Sequence, residues 1–273
     1  MDKYRDANQR TWNEWTRYHV HSAFYDVEGF RNGQRPIRAG LDAIEQAALG
    51  DVTGKSLLHL QCHFGLDTLS WARRGAHVTG VDFAEDAIRQ ARSLAAELEL
   101  PATFVHCDVY ELPACLEETF DIVFTSHGVL CWLPDLEHWA EVIARFLRPG
   151  GVFYMIEAHP FAYVFDDERS DRELTPRYPY FHAAEPMRCE GEGSYAAPDA
   201  AILSVTYQWS HSMGEVVTSI ARAGLRIESL EEYPFLGWAM FPWLQRRPDG
   251  LWQFPDETSI PLMFALKATK PVG

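Results

Sequence analysis

Basic residues are scarce in this 273-residue chain. Its 24 lysines and arginines stand against 39 aspartates and glutamates, which gives a formal net charge of -15. Nucleic-acid binding needs basic side chains that neutralise phosphates and release counterions, so we expect no DNA or RNA partner. Solubility is the simplest explanation of the excess acid, and selection of a cationic substrate is the second.

Cysteine pairs and long apolar runs are also missing. The five cysteines form no C-x-x-C pair and have no histidine-rich companion, so no metal site is expected. Cys62, Cys107 and Cys131 lie in or beside apolar runs and are expected to be reduced core residues. The first ten residues are charged, and no run approaches the roughly 18 apolar residues of a membrane span. We therefore expect a cytoplasmic protein that does not contact a membrane.

From Ser56 onward, short apolar runs alternate with helical segments. The first five runs are SLLHLQC, HVTGVDF, ATFVHCD, FDIVFTS and GVFYMIEA. This alternation predicts parallel strands joined by right-handed crossovers. Two later runs, LRIESLEEY and SIPLMFALKAT, are joined by an irregular connection from Pro234 to Ser259. Because that connection is unsuited to a crossover helix, we expect these two strands to pair antiparallel.

Four segments describe the expected organisation. Residues 1–50 form a helical lid with helices from Asp2 to Tyr18 and from Pro36 to Leu49, and residues 51–158 form the nucleotide-binding core. Residues 159–211 are an irregular, aromatic-rich insertion, and residues 212–273 complete the sheet after a capping box at Ser212 and Glu215. The fold class is α/β: a Rossmann-like, seven-stranded, mostly parallel sheet with helices on both faces, an antiparallel last strand and an inserted lid after the fifth strand.

Polar residues follow the predicted strands where a ligand of an open α/β sheet binds, beyond the carboxyl ends. The turn that ends at Gly65 opens a helix whose N-terminus favours an anionic group. Asp82 can accept hydrogen bonds from both hydroxyls of a ribose, and Asp108 can accept from an exocyclic amine such as that of adenine. Either acid alone is more often a helix cap or a solvated turn. Together they indicate a nucleoside ligand.

The order of these motifs, and LLHLQCHFGLDTLSWARRGAHVTGVDF in particular, resembles the class I S-adenosylmethionine-dependent methyltransferases of bacteria. The resemblance covers residues 54–158 strongly and about 204–270 loosely. It implies S-adenosylmethionine as cofactor, S-adenosylhomocysteine as product, and a cofactor site made of Gln61, His63, Gly65, Asp82, Phe83, Asp108, Val109 and Ser126. The family usually carries three alternating glycines in the first turn, whereas Gln61 and His63 stand at two of those positions here. We therefore expect their side chains to contact the cofactor.

Histidines are the candidate general bases, because their unperturbed pKa is about 6.5. His127 follows the fourth predicted strand and His159 the fifth. The alternatives are a hydrogen bond to cofactor or backbone for His127 and a capped turn before Pro160 for His159. Positioning alone can also suffice for an in-line methyl transfer.

Aromatic residues of the N-terminal helices and the insertion are expected to cover the cofactor and to form the acceptor pocket, although they also suit an ordinary packed core. The expected substrate and lid residues are Trp15, Tyr18, His21, Tyr25, Trp132, Trp209 and His211.

The expected function is methyl transfer to an oxygen or nitrogen of a small metabolite, by a monomer or homodimer. Two alternatives remain open: a cofactor-binding regulatory protein without transfer activity, and an aminopropyl-type transferase on the same fold. A nicotinamide dehydrogenase is disfavoured, because G-x-G-x-x-G requires glycine where Gln61, His63 and Leu66 stand.

Overall fold

The structure, a computed structural model, describes residues 2–33 and 39–273. Its helices are α1 (Lys3–His19), α2 (Val27–Arg31), α3 (Ala39–Leu49), α4 (Leu66–Arg73), α5 (Glu85–Glu97), α6 (Leu112–Cys115), α7 (Leu136–Phe146) and α8 (Met213–Arg222). Its strands are β1 (Ser56–Leu60), β2 (His77–Asp82), β3 (Ala102–His106), β4 (Phe120–Ser126), β5 (Leu147–Ala158), β6 (Met187–Glu192), β7 (Leu203–Gln208), β8 (Arg226–Tyr233), β9 (Phe235–Leu236), β10 (Gln245–Arg246), β11 (Trp252–Gln253) and β12 (Met263–Thr269). None of the helices in the described ranges is long and apolar enough to cross a bilayer.

Seven strands form the central sheet in the order β3-β2-β1-β4-β5-β12-β8. The pairs among β1 to β5 are parallel, and β12 runs antiparallel to both of its neighbours, with Leu266 opposite Met155 and Leu230. This confirms the expected mostly parallel sheet and its antiparallel last strand. The strand order reverses between β1 and β4, so a crevice opens beyond their carboxyl ends.

Both faces of the sheet are covered by helices, as expected. Successive side chains of a strand point to opposite faces. Leu58 and Leu60 of β1 therefore enter a core cluster with α7 and α8, whereas Leu57 enters a second cluster with Trp71 of α4 and Leu49 of α3. All three β1 leucines are fully buried. The helices hold the sheet on its two faces and leave the ends of the strands free to carry side chains into the crevice.

The helix ends agree with the sequence signals that lie within the described residues. Asp2 caps α1 by accepting hydrogen bonds from the backbone N–H groups of Tyr4 and Arg5. Ser212 caps α8 by accepting from the N–H of Glu215 at 3.1 Å, which confirms the capping motif. The third helix begins at Ala39 in the described chain, and the first part of its predicted range, residues 36–38, lies outside the described residues.

The insertion contains regular structure that the sequence analysis did not predict. Strands β6 and β7 pair antiparallel over six residue pairs and form a hairpin on which α1 packs. A second small sheet, β10-β11-β9, lies in the irregular connection before β12. These strands are short and half-exposed, because only one face of each has a partner to bury it. Their apolar alternation is correspondingly weak.

One cysteine expectation is corrected. Cys107 and Cys115 are paired as a disulfide, so Cys107 is not the reduced core residue that its apolar surroundings indicated. Cys62 and Cys131 carry free thiols, and burial raises the pKa of both.

Candidate functional site

The turn after β1 has the backbone of a glycine-rich turn without its glycines. Gln61, His63 and Gly65 all adopt left-handed conformations, with φ of 56°, 51° and 80°. This conformation costs a residue with a Cβ roughly 1–2 kcal/mol. At Gly65 a Cβ would also lie 2.6 Å from the ring of Phe104, so packing requires glycine there as well. The turn therefore has positive φ at two residues that carry side chains, and both of them, Gln61 and His63, line the cavity described below.

Asp82 closes this turn from the end of β2. One carboxylate oxygen accepts from the N–H of His63 at 2.8 Å, and the other accepts from the N–H of Ala84 at 2.9 Å. The side chain belongs to the wall of a cavity, and the residue is 8% exposed. Burial raises the pKa of Asp82 to about 6, although these hydrogen bonds lower it. Each oxygen retains a lone pair for a ligand hydroxyl.

Asp108, at the end of β3, is paired with a residue from the start of the chain. Nη1 of Arg5 lies 3.1 Å and 3.0 Å from the two carboxylate oxygens, and the N–H of Tyr110 donates to one of them at 2.9 Å. The guanidinium also lies over the Tyr110 ring, 5.2 Å from its centroid. Asp108 is 9% exposed and lines the same cavity as Asp82. Helix α1 therefore contacts the acid that the sequence analysis assigned to an adenine amine.

The cavity between these two acids has a volume of about 420 Å³, within the range of small-molecule sites. The side-chain oxygen of Gln61 is buried in its wall and has no hydrogen-bond partner within residues 2–33 and 39–273, while the amide nitrogen donates weakly to the carbonyl of Val129 at 3.4 Å. A buried acceptor without a donor is costly. This atom indicates that a ligand of the cavity supplies a donor.

A histidine at the end of α1 contacts a histidine in the turn after β1. Nε2 of His63 is 3.0 Å from Nδ1 of His19, whose other ring nitrogen is 2.9 Å from Oγ of Ser194 in the insertion. Burial lowers the pKa of His19 to about 3 and lowers that of His63. Both rings are therefore neutral at pH 7, and they connect the turn after β1 to α1 and to the insertion.

Below the turn lies His59, the fourth residue of β1. Its ring lies 2.8 Å from the hydroxyl of Thr68 and 3.2 Å from that of Ser126. Ser126 in turn donates to Asp67 at 3.0 Å. These contacts join the end of β1 to the end of β4 and to the first turn of α4. His59 is 1% exposed, which indicates a structural role.

The turn after β4 is held by a buried carboxylate. Glu157 of β5 accepts hydrogen bonds from the N–H groups of Gly128, Val129 and Ala158, each at 2.7 Å. Burial raises its pKa, and these bonds oppose that effect. The turn carries His127 into the cavity wall, where Nε2 lies 3.8 Å from the carboxylate of Glu45 on α3.

Comparisons with known proteins agree with this geometry. Residues 58–155 match the family model described as a methyltransferase domain. The ubiquinone biosynthesis O-methyltransferase of Alkalilimnicola ehrlichii is 36% identical over 132 residues, which cover 48% of this chain and 52% of that protein. The protein of the same name from Hahella chejuensis is 33% identical over 167 residues, covering 60% and 64%. The chain thus spans between about half and two thirds of the length of these relatives.

Solved structures share the fold at low sequence identity. A methyltransferase from Mesorhizobium loti has a TM-score of 0.56 and 19% identity, covering 85% of this chain and 97% of its own. The glycopeptide N-methyltransferase MtfA, solved with S-adenosylmethionine, has a TM-score of 0.55 and 18% identity, covering 84% and 86%. The sequence match, the strand order and the two strand-end acids agree. Residues 58–155 are thus similar to a methyltransferase domain, and the chain shares the fold of these solved methyltransferases.

Most of the expected site residues line the 420 Å³ cavity. They are Gln61, His63, Gly65, Asp82, Phe83, Asp108, Val109, Ser126, His127, Trp15, Tyr25 and Trp132. The backbone carbonyl of Phe83 also accepts from Gln9 of α1 at 2.6 Å.

His159, which was expected to be a catalytic base, lies outside the wall of this cavity. Its Nδ1 accepts from the N–H of Phe161 at 3.1 Å, and its Nε2 pairs with Glu232 at 2.8 Å. Both ring nitrogens are thus used to hold the turn after β5, and the residue is absent from the walls of the cavity. The capped turn, which was the alternative explanation, describes these contacts.

Tyr18 and His21 are also outside the cavity wall, and both are exposed. The reason is helical geometry. The face of α1 that turns inward carries Trp12, Trp15 and His19, at spacings of three and seven residues, so Tyr18 falls on the outer side. His19 lies seven residues after Trp12, and this helical spacing could have identified it as a residue of the inward face.

Trp209 and His211 line a second, adjoining cavity instead of the first. His211 lies 2.7 Å from the carbonyl of Leu133 and 3.0 Å from the carboxylate of Glu215. His182, His211 and Glu215 bring potential metal-donor atoms within 4.8 Å of one another. Because both ring nitrogens of His211 already have partners, we assign no metal to this group.

Several residues of the first cavity were missed by the sequence analysis. They are Arg5 of α1, Phe24 after α1, Tyr163 and Tyr195 of the insertion, Asp167, and Trp238 before β12. They lie outside the turns that directly follow β1 to β4, and tertiary packing brings them to the cavity. Among them only the aromatic composition of the insertion offered a signal.

Proposed function

We propose that the chain transfers the methyl group of S-adenosylmethionine to an oxygen of a small molecule. The observation that carries this proposal is the pair Asp82 and Asp108, buried at the ends of adjacent strands and lining one cavity. The relatives named as O-methyltransferases support oxygen as the acceptor atom. A bound S-adenosylmethionine would supply an electrophilic methyl group on a sulfonium.

The residues of the cavity fit this cofactor. Asp82 would accept from the ribose hydroxyls with its remaining lone pairs, and the orphaned oxygen of Gln61 would accept from the ammonium of the methionine end. Phe83 and Val109 would provide apolar contact for the adenine. Ser126 lies in the same wall and supports Asp67.

Asp108 would receive the adenine amine at its remaining acceptor site, in competition with Arg5. The guanidinium now engages both carboxylate oxygens. Cofactor binding is thereby coupled to the position of α1, which also contacts the insertion.

His127 is the residue that we propose as general base. It follows β4 on a turn fixed by Glu157 and lines the cavity, and the carboxylate of Glu45 faces its ring. As the acceptor oxygen bonds to the methyl carbon and the bond between that carbon and sulfur breaks, S-adenosylhomocysteine would leave and the proton of the hydroxyl would pass to His127. Glu45 would stabilise the imidazolium that results.

A screen with methyl-labelled S-adenosylmethionine and a bacterial metabolite extract tests the function. We expect label in one small molecule and equal release of S-adenosylhomocysteine. Bound cofactor without release of S-adenosylhomocysteine would instead indicate a regulatory protein. Release of methylthioadenosine from added decarboxylated cofactor, without methyl transfer, would indicate aminopropyl transfer. With the labelled acceptor in hand, His127→Ala should lower kcat about 100-fold with cofactor Kd unchanged. His159→Ala serves as the comparison and should leave kcat close to that of the unmodified protein.

We also propose that the protein is a cytoplasmic monomer or homodimer that contacts neither nucleic acid nor membrane. Light scattering coupled to gel filtration measures the oligomeric state, and fractionation of cells that produce the protein measures its location.

A further inference from the structure

A second cavity of about 290 Å³ adjoins the proposed cofactor site. The two cavities share wall residues from three parts of the chain: the turn after β4, the insertion and the end of β7. These shared residues are Gly128, Cys131, Tyr163, Asp167 and Gln208. A molecule seated in the second cavity can therefore extend to the first without crossing the core.

The walls of this second cavity carry acid without a matching lysine or arginine. Among the described residues its lining contains three carboxylates, those of Glu157, Asp167 and Glu168. Glu157 is occupied by backbone N–H groups, and Glu168 is paired with Arg177 at 2.6 Å. Asp167 receives a hydrogen bond from the hydroxyl of Tyr178 at 3.1 Å, and no salt bridge to it is found among the described residues.

Asp167 is thus the carboxylate of this wall that can receive a cation. Burial raises its pKa, and the Tyr178 hydrogen bond opposes that effect only in part. A cationic partner would favour the ionised form. His211 also lines the cavity, but its ring is held by Glu215 and by the carbonyl of Leu133.

Aromatic rings form much of the remaining wall, and one of them has an unused donor. Tyr163, Phe165, Tyr178, Tyr180 and Trp209 all line the cavity. Trp209 is 4% exposed, and no hydrogen-bond partner of its indole N–H is found among the described residues. Rings of this kind favour flat apolar groups and cations that lie over their faces. The orphaned indole N–H indicates that a ligand atom completes the site.

We propose that the second cavity binds a protonated amine attached to an aromatic or other flat apolar group, with Asp167 as its counter-ion. This inference rests on the proposed methyl transfer and names the class of acceptor. The amine is the anchor in the second cavity, and the hydroxyl that accepts the methyl group extends into the first. No bond to the amine forms or breaks.

Three probes of the same shape and different charge test this inference. Phenethylamine, 2-phenylethanol and phenylacetate should be titrated by calorimetry at millimolar concentrations into protein saturated with S-adenosylhomocysteine. We expect phenethylamine to bind about tenfold more tightly than 2-phenylethanol, and phenylacetate more weakly than either. Asp167→Asn should remove the preference for the amine and leave the affinity for the alcohol unchanged.

Asp171→Asn is the matched control, because it removes one negative charge from the same segment at a residue paired with Arg169 and absent from the cavity wall. It should keep the preference. Equal affinities for the three probes, no saturable binding of the amine, or a preference that survives in Asp167→Asn would overturn the inference. If S-adenosylhomocysteine itself does not bind, the proposed function fails, and the same titrations on cofactor-free protein still test the cavity.

Discussion

Asp82 and Asp108 end neighbouring strands and are almost equally buried, yet different parts of the chain hold them. The partners of Asp82 are the N–H groups of residues 63 and 84, which belong to the same β-α-β unit. Asp108 accepts from the local N–H of Tyr110 and also from Arg5, which lies 103 residues earlier in the chain. The ribose side of the proposed site is therefore a property of the core, whereas the adenine side also depends on α1.

The largest effect on cofactor binding should come from a substitution of Asp82, the acid that is held by residues of the core. Asp82→Asn should weaken the binding of S-adenosylhomocysteine about 100-fold. The amide has an NH2 group in place of one acceptor oxygen, and this donor would face either a backbone N–H group or a hydroxyl of the ligand. Isothermal titration calorimetry measures the change. Asp86→Asn, which removes a charge from the exposed Arg17 and Arg89 pairs, should bind normally. Equal binding by the two variants would remove Asp82 from the proposed site.

The attachment of α1 should be the next largest effect. Asn8 is 1% exposed and exchanges two hydrogen bonds with the backbone of Tyr207, at 2.7 Å and 2.8 Å. Asn8→Ala leaves both backbone groups without partners and should lower the free energy of unfolding by about 2 kcal/mol in urea titrations. Arg10→Ala, at an exposed position of the same helix, should change it little. An unchanged midpoint for Asn8→Ala would show that α1 is not tied to the insertion.

The pH dependence of cofactor binding should separate the two acids further. The pKa of Asp82 is raised to about 6, and ribose hydroxyls need the ionised form as acceptor. The Kd for S-adenosylhomocysteine should therefore rise as the pH falls through 6, by about tenfold at pH 5. For the cofactor-free protein the sign is opposite: the stability associated with this raised pKa is fully present below 3.8 and is lost as the pH rises through about 6. Asp82→Asn should show neither dependence.

The smallest effect on cofactor binding is expected at Asp108, the acid that contacts Arg5 of α1. Arg5→Gln frees Asp108 for the adenine amine and should tighten binding of S-adenosylhomocysteine about fivefold, since the guanidinium no longer competes. Arg10→Gln is the matched control on the same helix. Weaker binding by Arg5→Gln than by Arg10→Gln would mean that the guanidinium supports the bound cofactor and does not compete with it.

The residues that sequence reasoning placed well share one property: their positions depend on local structure. Gln61 follows β1 directly, Asp82 is the last residue of β2, and Asp108 lies two residues after β3, so the predicted strands carried them to one edge of the sheet. His159 also follows a strand, but its turn bends the ring toward Glu232, away from the cavity. A strand end defines where a side chain starts, and the next few residues define where it points.

The sequence by itself determined the parallel sheet, its antiparallel last strand and the strand-end acids, because hydrophobic periodicity and chain direction are local properties. Tertiary structure alone decided that Arg5 meets Asp108, that His19 meets His63, and that Asp167 joins the walls of two cavities. These contacts join residues far apart in the chain, and packing of α1 and the insertion on the core brings them together. No periodic pattern in the sequence encodes such distances.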